Sequence, residues 1–317
     1  MLVMNEPRAP IALTGATGFL GGHIAAAILD AGLPLRAVVR DPARARHLEA
    51  RGAEVVMADL NDGPALARAL AGAAALVSNA SLGSWAGEYD VYQRVNVDGI
   101  ENLFDAARRV GLERVVMIST VAVYRTQLRR VMTEASPGYD ADTRRLNWSD
   151  VTTDWRYARS KTRAEAVAAR HARALTILRP GPIYGSGDPK LTARYLRSAA
   201  RRVVLAPTVG VPQVHAADVA LATVAALQRP DSIGRAYNLA GPPTSPLQVL
   251  RILRRLHAEG LGQTTRARGW VVPIPLPISV RFDCSAARRD LDFVPRSLED
   301  GLREVLRAAT MPPGESS

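Results

Sequence analysis

Short apolar runs of strand length alternate with longer Ala- and Leu-rich stretches from the start of the chain. Ile11–Leu13 is followed by Gly21–Ala31, Leu35–Val39 by Pro42–Arg51, and Val55–Met57 by Pro64–Leu70. Brief, wholly apolar runs suit strands buried on both faces, and the longer stretches suit helices packed against them. The rhythm predicts βαβ units. It continues through Leu76–Val77, a helix around Val91–Arg109, the run Val115–Ile118, a helix near Trp155–His171 and the run Leu175–Leu178. Together these give about six parallel strands of a doubly wound α/β sheet.

The stretch from Arg125 to Asp154 breaks this rhythm, being polar and containing Pro137-Gly138. It is expected to form a long loop at the sheet edge and a candidate substrate lid. After Arg179-Pro180, prolines at 182, 189, 207, 212, 242, 243 and 246 punctuate shorter elements, and Pro273–Pro277 is expected to be nearly structureless. The organisation predicted is a large unit of residues 1–180, with 211–240 returning to it. A smaller, partly interleaved C-terminal unit comprises 181–210 and 241–317.

At 317 residues, 47% hydrophobic and 22% charged, the chain has ordinary globular composition and enough length for a large core. The formal charge of +11 invites a nucleic-acid reading. The distribution argues against it. Pairs such as Arg108-Arg109, Arg129-Arg130, Arg201-Arg202, Arg254-Arg255 and Arg288-Arg289 are spread along helix-like segments, without a basic run or interleaved aromatics, as on a solvated surface. Only Lys161 and Lys190 among the 41 basic residues are lysines, and a lysine in such a composition suggests a need for a compact ammonium. Cys284, the single cysteine, excludes an internal disulfide and lacks activating neighbours in sequence. The five scattered histidines suggest no metal site, and His23 and His215 are expected to be structural or superficial. The start of the chain runs into a strand without a signal pattern, and no stretch of 18 apolar residues occurs, so a cytoplasmic, non-membrane protein is expected.

Thr14-Gly15-Ala16-Thr17-Gly18-Phe19-Leu20-Gly21 directly follows a strand and opens a helix, the context that a dinucleotide-phosphate loop requires. Gly15 can make the sharp turn, Gly18 lets backbone approach a pyrophosphate, and Gly21 allows close helix packing. The helix N-terminus adds N–H donors. About twenty residues on, the end of the second strand reads the adenosine ribose, with an acid for a 2′-hydroxyl or an arginine for a 2′-phosphate. Both stand here as Arg40-Asp41, with Arg36, Arg44 and Arg46 around them, which favours NADP over NAD. Asp41 also suits a helix N-cap before Pro42.

Tyr157 and Lys161 lie four apart at the start of a helical segment, hence on one face. An ammonium beside a phenol would lower the tyrosine pKa toward a range useful for proton exchange with a carbonyl or alcohol. The apolar run Val115–Ile118 ends in Ser119 and Thr120, hydroxyls at the carboxyl end of a strand, where parallel sheets place their ligands.

On these residues the chain resembles the extended short-chain dehydrogenase/reductase family, the NAD-dependent epimerase/dehydratase group, over nearly its whole length. Thr14–Gly21 is similar to the family's TGxxGxxG loop, Asn96-Val97-Asp98-Gly99 with Asn102-Leu103 to its NVxGTxNL helix, and Arg179–Gly185 to RPxxVYG. His215–Ala220 is similar to HVxDVA, and Arg288–Pro295 to AxxxLGWxP. Aligning Val123-Tyr124 with the family's VY pair puts Thr120 at the catalytic Ser/Thr position, and Tyr157 and Lys161 match YxxxK. The resemblance implies a Rossmann-type fold and a small-molecule substrate. It implies that Tyr157 exchanges the proton, Thr120 positions the oxygen, and Lys161 binds the nicotinamide ribose. It implies a cofactor held by Gly15, Thr17, Gly18, Phe19, Leu20, Gly21, Arg40, Asp41, Asp59, Leu60, Asn79, Ala80, Ser81, Asn96, Ser119, Tyr157, Lys161, Pro180 and Ile183. It also suggests a homodimer through the long helices.

Two departures narrow the activity. Dehydratases of the group carry an acid after the catalytic Thr, whereas Val121 follows Thr120. Many nucleotide-sugar members place an arginine where this chain has Val211. The reading that follows is a ketone or aldehyde reductase, or the reverse alcohol dehydrogenase. The alternatives are a nucleotide-sugar 4-epimerase with tightly held NAD and a non-catalytic NAD(P)-binding regulator.

Overall fold

The computed structural model describes residues 9–84, 87–125, 130–139, 154–261, 270–276 and 278–310. Seven parallel strands form the central sheet: β1 (Ile11–Thr14), β2 (Leu35–Val39), β3 (Glu54–Met57), β4 (Ala75–Ser78), β5 (Arg114–Ile118), β6 (Ala174–Pro180) and β7 (Ala236–Leu239). Their order is β7-β6-β5-β4-β1-β2-β3, so the winding reverses between β1 and β4, where Ile11 stands between Leu35 and Ala75. The strand expected from sequence at the last parallel position is joined by β7, from the segment that returns after residue 210.

Alternate residues of each strand feed two cores. Leu13, Ala37, Val39, Val116 and Ile118 join Ile24, Ala25 and Ile28 of helix α1 (Phe19–Asp30) on one face. Ala12, Val38, Leu76, Val115 and Met117 face the other side, with α2 (Gly63–Leu70), α3 (Gly99–Arg109) and α4 (Trp155–His171). This two-sided burial is why the strands read as continuous apolar runs. A third cluster gathers Tyr195 of α5 (Leu191–Ala199) with Leu247, Leu250, Leu253 and Leu256 of α7, the helix Pro246–Ala258; between them α6 (Ala216–Gln228) packs against α1. Helix ends follow local chemistry. Asp62 accepts from Ala65 N at 2.9 Å to cap α2, and Ser245 with Gln248 makes a capping box at α7.

Three expectations change. The helix around Val91–Arg109 is a turn at Tyr89–Tyr92, a π-helical stretch at Gln93–Asp98 and then α3. The wider turn carries Asn96, which is fully buried, onto the backbone of Leu82. Part of Pro273–Pro277 is ordered, because Trp270–Ile274 pairs in parallel with Val203–Pro207. Of the Arg125–Asp154 loop, residues 126–129 and 140–153, and most of the expected lid with them, lie outside the described residues. Its described part, Val131–Met132, pairs with Arg281–Phe282. Among the described residues no helix is long and apolar enough to cross a membrane.

Candidate active site

The winding reversal opens a cleft of about 700 Å³ over the carboxyl ends of the strands. Its floor begins at the glycine loop. Gly15 adopts φ +71°, which favours glycine, and a Cβ at Gly21 would lie 1.9 Å from the Gly15 carbonyl oxygen. Loop and helix start are therefore packed as tightly as bare backbone allows. Gly18 precedes α1 without any side-chain cap, and it lines the cleft with Phe19 and Leu20. An uncapped helix start facing a cavity offers free N–H groups and the positive end of the helix dipole, which suits a pyrophosphate.

Arg40, Asp41 and Arg44 line the cleft beyond β2. Asp41 Oδ1 accepts from Ala43 N at 3.0 Å, so its carboxylate already caps the following turn, while Arg40 is exposed. Arg36 is not part of this cluster, contrary to expectation: its guanidinium is held by Glu54 (2.7 Å) and the carbonyls of Ala69 and Ala71. Asp59 accepts from Asn61 N and Nδ2 through one oxygen, and with Leu60 it walls the same end. Thr14 Oγ1 accepts from Asn79 N and Ala80 N, bringing the loop after β4 against the glycine loop.

At the other end lie Ser119, Tyr157 and Ile183. Asp154 caps α4 by accepting from Arg156 N (3.2 Å) and Tyr157 N (3.4 Å), which sets Tyr157 in the first turn. The Thr120 hydroxyl lies close enough to the Tyr157 phenol to favour its ionised form, whereas Ser119 donates to Glu165. Glu165, a further turn along α4 from Lys161, forms a two-pronged pair with Arg179 (3.0 and 2.6 Å). Arg179 in turn reaches Tyr124, whose hydroxyl donates to Asn238 at 2.8 Å. This network fixes the ends of β5 and β6 beneath the site.

Lys161 is buried, and its Nζ donates to the Ile118 carbonyl at 2.8 Å, just behind the cleft wall. Burial draws its pKa down to about 8, opposed by Glu165. The Tyr157 phenol is pushed up to about 12, chiefly by burial, with the Thr120 hydroxyl acting the other way and Tyr92 and Asp154 adding to the rise. Sequence reasoning anticipated a lowered tyrosine pKa. Lys161 spends its ammonium on a backbone carbonyl and exerts no resolved pull on the phenol, so Tyr157 is held protonated.

Of the residues expected around a cofactor, Asn96, Lys161 and Pro180 do not line the cleft. Asn96 instead donates to Leu82 O and Ser160 Oγ (3.1 and 3.0 Å), fastening the loop after β4 to α4, and Pro180 is buried opposite Leu239 in the sheet. Arg44, Asn61, Val95 and Asp188–Lys190 line it without having been named as cofactor residues. Two of them carried a sequence signal: Arg44 by its place in the basic cluster around Arg40, and Lys190 by its rarity. His215 is structural: it accepts from Ala217 N through Nδ1, and burial takes its pKa down to about 3. Cys284 is buried, with its thiol pushed up to about 11 by burial.

A doubly wound sheet whose reversal point opens onto a glycine-packed, uncapped helix start, with Tyr and Lys beside it, defines a dinucleotide-dependent enzyme of the extended short-chain dehydrogenase/reductase type. The chain belongs to the NAD dependent epimerase/dehydratase family, whose sequence profile matches residues 11–240. It is 33% identical over 232 residues to a ceramide reductase of Caulobacter vibrioides, covering 71% of this chain and 63% of that protein's length. It is 28% identical to a 2-alkyl-3-oxoalkanoate reductase of Stenotrophomonas maltophilia, covering 93% and 98%. In fold it is similar to a UDP-glucose-4-epimerase from Stenotrophomonas maltophila solved with bound NAD, at TM-score 0.77 and 21% identity, covering 95% and 98%.

Proposed function

We propose that this enzyme carries out NADPH-dependent reduction of a ketone or aldehyde in a small, mostly apolar metabolite, or the reverse oxidation. The observation that carries the reading is the placement of Tyr157 on the wall of the dinucleotide cleft with Ser119 and Ile183, with Thr120 close enough to act on its phenol and Lys161 one helical turn away. Gly15, Thr17, Gly18 and the start of α1 would hold the pyrophosphate, and Asp59 and Leu60 the adenine end. The bound dinucleotide supplies the hydride for the carbonyl carbon. Tyr157, protonated at neutral pH, gives its proton to the carbonyl oxygen while Thr120 positions that oxygen, and the product is an alcohol. Lys161 would hold the nicotinamide ribose.

Two relatives bearing the names of reductases support this direction. Val121 after Thr120, in place of an acid, argues against dehydration. The preference for NADPH rests on Arg40 and Arg44 flanking a carboxylate already engaged as a cap. Fluorescence titration of NADPH and NADH into wild type and Arg40→Ala tests it. NADPH is expected to bind at least about tenfold tighter than NADH, with the gap lost in the variant. Equal or tighter NADH binding would overturn the 2′-phosphate site, and copurified NAD without net turnover would establish the 4-epimerase alternative.

A further inference from the structure

The second lysine of the chain lines the same cleft, and the proton chemistry does not use it. Lys190 is exposed, and its Nζ donates to the Ser84 carbonyl at 2.8 Å, joining the start of α5 to the loop after β4. It stands at the Tyr157 end. A Cβ on Gly83 would lie 3.5 Å from this ammonium, and the Gly83 carbonyl accepts from Tyr92, whose ring centre is 6.1 Å from that of Tyr157. The neighbouring Asp188 is occupied, its two oxygens accepting from Lys190 N (2.9 Å) and Thr192 N (2.6 Å). Among the described residues no carboxylate pairs with the Lys190 ammonium, so this cation rests on a neutral carbonyl beside the substrate space.

Resting on the reductase reading, we propose that Lys190 is a substrate-carboxylate site: the compound reduced at Tyr157 carries a carboxylate that takes the ammonium in place of the Ser84 carbonyl. A monoanion fits better than a phosphate. The site offers one compact point charge, and two of the amides at the start of α5 that would help cradle a dianion, those of Lys190 and Thr192, are bonded to Asp188.

The test uses oxo acids in which the carboxylate is moved from the ketone carbon by carbon, each with its methyl ester. Turnover is followed by loss of reduced nicotinamide in wild type, Lys190→Met and Lys190→Arg. For at least one spacing, kcat/KM for the acid should exceed that for the ester by about tenfold. The ratio should fall toward unity in Lys190→Met and recover in part in Lys190→Arg. An equal ratio in wild type and Lys190→Met overturns the proposal. Binding of the same acids to Tyr157→Phe loaded with NADPH, read by its fluorescence, needs no turnover. Saturable binding of acid but not ester, lost in the Lys190→Met double variant, supports the site, and absence of acid binding overturns it. If the wild type reduces none of the compounds while Tyr157→Phe binds the acid, the reductase reading fails and the carboxylate site stands.

Discussion

Two adjacent glycines in the first turns of α1 should respond oppositely to the same added methyl group. At Gly21 the new Cβ would lie 1.9 Å from the Gly15 carbonyl oxygen and 2.8 Å from its carbon. At Gly22 it would meet nothing within 4 Å. Relief at Gly21 requires the loop or the helix to shift by more than about 1 Å, because real carbon–oxygen contacts lie near 3.4 Å or beyond. The helix is the stiffer partner, with Ile24, Ala25 and Ile28 fully buried. The loop must therefore yield, and with it the backbone that meets the pyrophosphate. Overpacking of this kind costs about 1–3 kcal/mol, whereas Gly22→Ala gains roughly 0.5–1 kcal/mol of helix stability. At roughly 1–2 °C per kcal/mol for a chain of this length, Gly21→Ala should melt a few degrees lower. It should also bind NADPH at least about tenfold more weakly, since 1.4 kcal/mol is a factor of ten. Gly22→Ala should melt slightly higher with unchanged affinity. Thermal melts and NADPH titration read both quantities. A Gly21→Ala protein with wild-type melting and affinity would refute the reasoning that close backbone packing shapes the phosphate loop.

Lys161→Met should stabilise the fold while removing turnover. Lowering the ammonium from 10.5 to about 8 corresponds to about 3 kcal/mol of strain in the charged form, less about 1 kcal/mol for the lost bond to Ile118, so stability should rise by about 2 kcal/mol and the melting temperature by roughly 2–4 °C. A fall in melting temperature would contradict this. His215, with a folded pKa of about 3 against an ordinary 6.5, stays neutral in the fold while the unfolded chain takes up a proton below pH 6.5. Stability therefore rises with pH across that window and is lost on acidification, by up to about 1.4 kcal/mol per pH unit. His215→Asn keeps an N-cap without the titration and should flatten the loss between pH 6.5 and 5, measured by denaturation at each pH; an unchanged slope would place the effect elsewhere.

Much of this site was legible because local rules and tertiary fold agree. The glycine spacing, the strand before it and the helix after it required one arrangement. What sequence left hidden depended on partners distant along the chain. Asn96 looked like a cofactor residue until the π-helical turn carried it onto Leu82, a contact no periodicity encodes. Arg36 seemed available near Arg40, but β2 and β3 in register place it opposite Glu54. The tyrosine pKa was misjudged because four-residue spacing fixes a shared helix face and not the direction of the ammonium, which the Ile118 carbonyl decides. Pro273–Pro277 looked irregular for its prolines, yet Pro273 and Ile274 complete the strand Trp270–Ile274 beside Val203–Pro207.

The central claim is that Tyr157, backed by Thr120 and Lys161, is the proton donor of a reductase built on this cleft. Tyr157→Phe tests it directly, with NADPH affinity and ketone-dependent NADPH oxidation measured on the same preparation. The account predicts unchanged affinity and turnover lower by about 10²–10⁴-fold, the contribution of a positioned general acid. Wild-type turnover in Tyr157→Phe would contradict it.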